Sequence, residues 1–218
     1  NIYSKYDIDI SIRPGGPGVN TKALLVAGKV DFNIGGSAGA LIFVKSDIPF
    51  KAIAAIFQKD PQVLISHPNQ GNDRIEDFVN KTILISKFNK VTFWPFLKAK
   101  FGFKDEQIKP YNYSLQPFLN DLTAIQQGYV TSEPYSIEKV TDLKPIVNLL
   151  ADYGYMPYAT TIETSNKLIK SNPDLVQRFV DASIEGWYSY LLEDPTPGNE
   201  LIKNDNKEMS DELLTFAR

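Results

Sequence analysis

Apolar and polar residues alternate in short runs along much of the chain, and between those runs the apolar spacing lengthens to three or four. Alternation with β-branched side chains predicts strands at residues 8–12, 30–34, 50–57, 63–65 and 82–86. Further strands are predicted at 108–113, 129–131, 146–150 and 159–163. The longer period predicts helices between many of them. "TKALLVAGK" has Asn20 and Thr21 as candidate caps and stops at Gly28, and "AGALIFVKS" follows Ser37 as its cap. "VTFWPFLKAKFGF" and "LQPFLNDLTAIQQG" each carry an apolar stripe and close on glycine. The longest pattern, "NPDLVQRFVDASIEGWYSYLLED", has Asn172 as N-cap, Pro173 at the first helical position and Asp174 in the first turn.

Strands alternating with helices at this rhythm imply an α/β fold with mostly parallel sheets. Two passages suit crossings between lobes: the polar, glycine-bearing "HPNQGNDRIEDFVNKTILIS" and the aromatic "ADYGYMPYATTIE". They predict a discontinuous first lobe, residues 1–85 plus 156–218, with 86–155 inserted as the second.

Composition narrows the chemistry. With 218 residues and 43% hydrophobic content, the chain can bury a sizeable core. Its formal charge of −3, without a Lys/Arg cluster, argues against nucleic acid or an anionic membrane as the main partner. The absence of cysteine excludes disulfides, zinc–thiolate sites and cysteine nucleophiles. His67, the single histidine, stands without a G-x-S-x-G stretch and reads as a surface or hinge residue rather than a triad member. No His/Asp/Glu spacing resembles a metal site, so neither a metal nor a cofactor is expected.

The candidate chemistry lies at strand-to-helix corners, because α/β sheets bind ligands beyond the carboxyl ends of their strands. In "VDFNIGGSAGALIF", Gly35 and Gly36 permit close backbone approach and Ser37 opens a helix; a tight turn with a serine cap is the plain alternative. "SIRPGGPGVNT" is explained by turn chemistry alone. At "VTSEPYSIEKV", Glu133 either complements a helix dipole or accepts hydrogen bonds from a ligand, with Tyr135 beside it. "SKFNKVTFWPF" offers Asn89, Thr92 and Trp94, the last either a core residue or a stacking wall. Tyr153, Tyr155 and Tyr158 suit a cleft lining or hinge packing equally.

"PGGPGVNTKALLVAGKVDFNIGGSAGALI" resembles the solute-binding proteins grouped with thiamine-pyrimidine-precursor, sulfonate, taurine and nitrate receptors. "IAAIFQKDPQVLISHP", "FWPFLKAKFGF", "QGYVTSEPY" and "NPDLVQRFVDASIEGWYSYL" extend the similarity through nearly the whole chain. The resemblance implies a two-lobed type II periplasmic-binding fold with a ligand cleft between the lobes. It also implies a periplasmic, non-catalytic, monomeric receptor whose partners are the permease and ATPase subunits of a bacterial ABC importer. A removed signal peptide, a first strand with its helix before Asn1, and truncation at both ends are expected with it. The site residues it implies are Gly36, Ser37, Ala38 and Gln58 in the first lobe, and Asn89, Thr92, Trp94, Glu133 and Tyr135 in the second. Tyr158 joins them from the second crossing. An acid without a nearby Arg or Lys in that set favours a flat, nitrogen-rich, thiamine-precursor-like ligand over taurine, an alkanesulfonate or nitrate. A pyrimidine-synthase-like enzyme on the same fold is the other alternative, for which this chain lacks cysteine and offers one histidine.

Overall fold

The computed structural model describes residues 2–15 and 19–218. Gly16, Pro17 and Gly18, from the proline–glycine corner, therefore lie outside the described residues. In chain order the first elements are α1 (Ile2–Lys5), α2 (Thr21–Val26), β1 (Phe32–Gly35), α3 (Ser37–Lys45) and β2 (Phe50–Phe57). Then come β3 (Gln62–Ser66), β4 (Ile83–Ile85), α4 (Trp94–Phe101), β5 (Ile108–Pro110), α5 (Gln116–Asn120) and β6 (Ile125–Tyr129). The chain continues through α6 (Glu133–Thr141), β7 (Ile146–Leu149), β8 (Ala159–Ser165), α7 (Asn166–Ser171), α8 (Pro173–Leu192), α9 (Thr196–Asp205) and α10 (Asp211–Ala217).

These elements fall into two compact units. Unit 1 takes the chain through Gln58 together with Pro157–Glu208; unit 2 takes Lys59–Met156 and Met209–Arg218. The expected first crossing near residue 85 is therefore corrected, because β3 and β4 lie in the second sheet. Backbone pairing decides this: β3 bonds to β6 on one side and β7 on the other, partners far along the chain that local pattern does not reveal.

Unit 1 is built on a three-stranded sheet in the order β1-β8-β2, and both of its pairings are antiparallel. The expectation of mostly parallel sheets is corrected here, since the returning strand β8 inserts between β1 and β2 and runs against both. Alternation sends Ile34 and Ile162 to one face and Asn33 and Glu163 to the other, each pair in direct register. On the apolar face, α8 presents Val176, Phe179, Ala182 and Ser183 from one helical stripe. Phe179 stacks on Phe32 with centroids 3.7 Å apart, and the Tyr3 hydroxyl meets Ser183 Oγ at 3.0 Å. An apolar cavity of about 270 Å³ remains on this face, lined by Ile34, Ile56, Ile162 and Phe179 among others. Residues 8–12, expected as a strand, pack Ile8 and Ile10 against this cluster but form no ladder with the described residues.

Unit 2 is built on a five-stranded mixed sheet, β5-β4-β6-β3-β7, parallel at β5-β4-β6 and antiparallel at β6-β3-β7. β3 and β4 are apolar on both faces, as a sheet covered on both sides requires, while β6 between them buries Gln126 and Gln127. Leu64, Ile83 and Ile85 enter one cluster with Phe78, Trp94 and Leu97; Val63, Ile65 and Leu84 enter the other with Phe118 and Ile137. Each fully buried Leu, Ile or Phe contributes about 1.5–3 kcal/mol, so these two layers dominate the unit's stability. The stretch expected to form one helix across 115–128 divides instead. Asp121 ends α5 by accepting the Thr123 N–H at 2.9 Å and the Thr123 hydroxyl at 2.8 Å. The following residues then pair as β6 between β4 and β3.

Candidate functional site

In unit 1 the register brings several predicted residues to one end of the sheet. Gly35, the last residue of β1, lies opposite Thr161, and Phe57, the last of β2, lies opposite Ala159. Gly36, Ser37 and Ala38 follow β1, Gln58 follows β2, and Tyr158 precedes β8, so all five gather there. Ser37 does not cap α3: its N–H reaches the Tyr158 carbonyl at 3.3 Å and its hydroxyl donates to the same oxygen. Gly36 is the N-cap residue, in extended conformation. The Gln58 amide folds back on the Ala55 carbonyl at 2.8 Å, and the Tyr158 side chain is exposed.

Beneath this corner lies a group that pattern reading missed. Glu163 on β8 is completely buried. Its Oε2 accepts from Asn33 Nδ2 at 2.8 Å, and the Thr161 hydroxyl approaches Oε1 at 3.4 Å. Burial pushes the Glu163 carboxyl above its ordinary value, while Asn33, the Lys22 charge, Thr161 and the Gly36 N–H pull it back. The glycines make room for this cluster. A Cβ on Gly35 would lie 2.5 Å from Glu163 Oε2, and one on Gly39 would collide with the Lys22 ammonium. The glycine-rich corner is thus shaped by an internal carboxylate on its inner side. The legible signal was an isolated acid inside the strand "ATTIETS".

In unit 2, the carboxyl ends of β4 and β6 lie side by side because the strands are parallel neighbours. The Ser86 N–H donates to Gln127 Oε1 at 2.6 Å and joins the two corners. Asn89 is buried and accepts from the Thr92 hydroxyl at 2.9 Å, which fixes the β4-to-α4 corner. Trp94 is 2% exposed, sits in the core and donates its indole N–H to Asp105 at 2.7 Å. Of the two readings open for this tryptophan, its burial is that of a core residue. It forms no wall at a surface.

At the β6-to-α6 corner, Glu133 is held by its own surroundings. Its carboxylate accepts the Tyr129 N–H at 2.8 Å, the Tyr111 hydroxyl at 3.1 Å and the Ser132 hydroxyl. Burial and the Glu133 charge push the Tyr111 phenol well above its usual range. Tyr135 leans its ring on Phe216, with centroids 5.3 Å apart. Tyr155 packs on Phe96, and burial, then Asp60, pushes its phenol up to about 12. His67, expected at the surface or a hinge, is instead buried, stacked on Phe118 and bonded through Nε2 to the Phe118 carbonyl at 2.9 Å. Among the described residues no cluster of three His, Cys, Asp or Glu suits a metal ion. No described helix is long and apolar enough to cross a membrane.

Two α/β units of discontinuous chain, each gathering polar and aromatic groups at one sheet end, define the periplasmic-binding-protein fold. The family described as NMT1/THI5 like matches residues 2–197, and the chain belongs to it. No curated protein matches significantly. Solved structures support the fold. The periplasmic aliphatic sulphonate binding protein SsuA from Escherichia coli aligns with a TM-score of 0.67 at 11% identity, over 89% of this chain and 63% of that one. The putative sulfonate ABC transporter protein SsuA from Methylobacillus flagellatus KT gives 0.57 at 18%, over 90% and 60%. A Candida albicans gene product with the generic periplasmic binding protein fold gives 0.61 at 17%, over 98% and 72%. The chain thus spans 60–63% of the length of the two sulfonate-binding structures.

Proposed function

We propose that this chain acts as the solute-binding receptor of a bacterial ABC importer, in the periplasm and as a monomer. It passes its solute to permease and ATPase subunits without transforming it. The family match across residues 2–197 carries this reading. The gathering of Gly36, Ser37, Ala38, Gln58 and Tyr158 at one sheet end, and of Asn89, Thr92, Glu133 and Tyr135 at strand-to-helix corners of the other sheet, supports it. His67 is packed against Phe118, which favours a receptor over a histidine-dependent enzyme.

For the solute we propose a small heteroaromatic, thiamine-precursor-like molecule. Acids, amides and phenols dominate the corners, and the lysine nearest the first of them, Lys22, already faces Glu163. The names of the structural neighbours favour a second reading, an alkanesulfonate or taurine receptor. Thermal-shift measurements with an aminopyrimidine, taurine, ethanesulfonate and nitrate separate the two. A bound solute at a hundred times its Kd stabilises by about 2.7 kcal/mol, enough to move Tm clearly. Stabilisation by the aminopyrimidine is the expected result; stabilisation by ethanesulfonate or nitrate alone would reverse the ligand assignment.

A further inference from the structure

Unit 2 contains a buried acid outside both of its corners. We infer that Asp60 and Gln62, where the chain enters β3, form an acceptor pair that takes an N–H donor of the solute, either an amine or the amino group of a heterocycle. This assignment rests on the receptor reading and names the group of the solute that unit 2 recognises.

Topology places the pair. β3 runs antiparallel to β6 with Gln62 opposite Tyr129, so Asp60 lies just past the carboxyl end of β6. That is the sheet end from which the Asn89 and Glu133 corners also leave. Asp60 is 7% exposed, yet among the described residues a single hydrogen bond reaches its carboxylate, from the Gln62 N–H at 2.9 Å. This turn satisfies Oδ1 and leaves Oδ2 without a donor. A buried carboxylate has room for several donors and is costly without them. The adjacent cation, Lys59, is committed to Asp152 at 2.5 Å. Beside Asp60, the Gln62 side-chain oxygen is buried and has no hydrogen-bond partner. Two acceptors thus share one region with unused capacity.

The neighbouring groups are phenols. Tyr129 and Tyr155 both feel the Asp60 charge, the Gln62 side chain reaches the Tyr129 phenol, and Thr92 reaches that of Tyr155. The Glu133 charge adds to that of Asp60 at the Tyr129 phenol. Acceptors and aromatic rings suit a flat or short donor-bearing solute and repel a bare anion. Glu133 is the weaker candidate, because three donors from its own corner already occupy it.

Burial holds the Asp60 carboxyl above its ordinary value of 3.8, against the Gln62 N–H. Protonation removes the charge a donor needs, so preference for an amine-bearing solute declines as pH falls through that raised value.

Calorimetry on the full chain with two matched pairs tests the assignment. One pair is (4-amino-2-methylpyrimidin-5-yl)methanol and its analogue lacking the amino group; the other is taurine and ethanesulfonate. The amine-bearing member of a binding pair is expected to bind roughly 10- to 100-fold more tightly, as a charge-assisted hydrogen bond supplies. Asp60→Asn, nearly isosteric, should erase that preference, whereas Glu106→Gln, at an exposed carboxylate of the same unit, should retain it. Equal preference in Asp60→Asn and the unchanged protein overturns the assignment and leaves the receptor reading intact. Failure of all four compounds to bind the unchanged protein removes both. Independently of any variant, the preference of the unchanged protein should shrink as pH is lowered from neutral until Asp60 protonates; a ratio that stays flat throughout counts against Asp60.

Discussion

Gly35 and Gly39 are glycines because side chains from elsewhere in the chain occupy the space a methyl would need. The Glu163 carboxylate lies beneath the first and the Lys22 ammonium beneath the second. Gly35→Ala should therefore destabilise the fold by about 1–3 kcal/mol, the usual cost of overpacking a tight site. Urea denaturation measures it. In a Glu163→Ala background the same substitution should cost distinctly less, since the colliding group is gone; an unchanged cost would show that Glu163 does not shape the corner. The same residue-scale logic separates Trp94 from Tyr135. Periodicity gave both an aromatic position near a helix start, but burial made Trp94 a core residue with an Asp105 anchor, while Tyr135 lies only part-buried against Phe216. A corner residue's type was readable, its direction was not, because direction depends on which strands meet beside it.

Elements with strong local chemistry were legible one by one. Asn172 caps α8 through Oδ1 to the Leu175 N–H at 3.1 Å, and Asn20 caps α2 through the Ala23 N–H at 3.0 Å. Asn172→Ala should cost about 1 kcal/mol, visible as a lowered melting temperature, as the loss of such caps generally does. Where local signals compete, tertiary pairing wins. The apolar spacing of residues 115–128 fits a helix, yet Asp121 closes a turn and Ile125 donates its N–H to the Thr82 carbonyl at 2.8 Å. Residues 8–12 show the converse: their alternation is genuine and buries Ile8, but among the described residues no strand pairs with them. Alternation reports which side chains a segment buries, and a ladder requires a partner.

At the scale of the molecule, the final segment belongs to unit 2, although the residues immediately before it belong to unit 1. Leu214 on α10 is 6% exposed and Phe216 packs on Tyr135 of α6. Leu214→Ala should destabilise by about 2–3 kcal/mol, the low end for a buried leucine. Hydrogen exchange should show the lost protection in α6 and spare the buried sheet of unit 1. Uniform loss across both units would contradict this division.

The sequence alone determined an α/β chain, the Asn20 and Asn172 helix caps, most strand positions, the corners that gather polar and aromatic side chains, and the family. These follow from local dihedral preference and side-chain period, which act within a few residues. The tertiary structure decided the rest: the antiparallel insertion of β8, the placement of β3 and β4 in the second sheet, the burial of Glu163 and His67, and the incomplete hydrogen bonding of Asp60. Each depends on partners distant in the chain, and only folding brings their charges and backbone donors within reach.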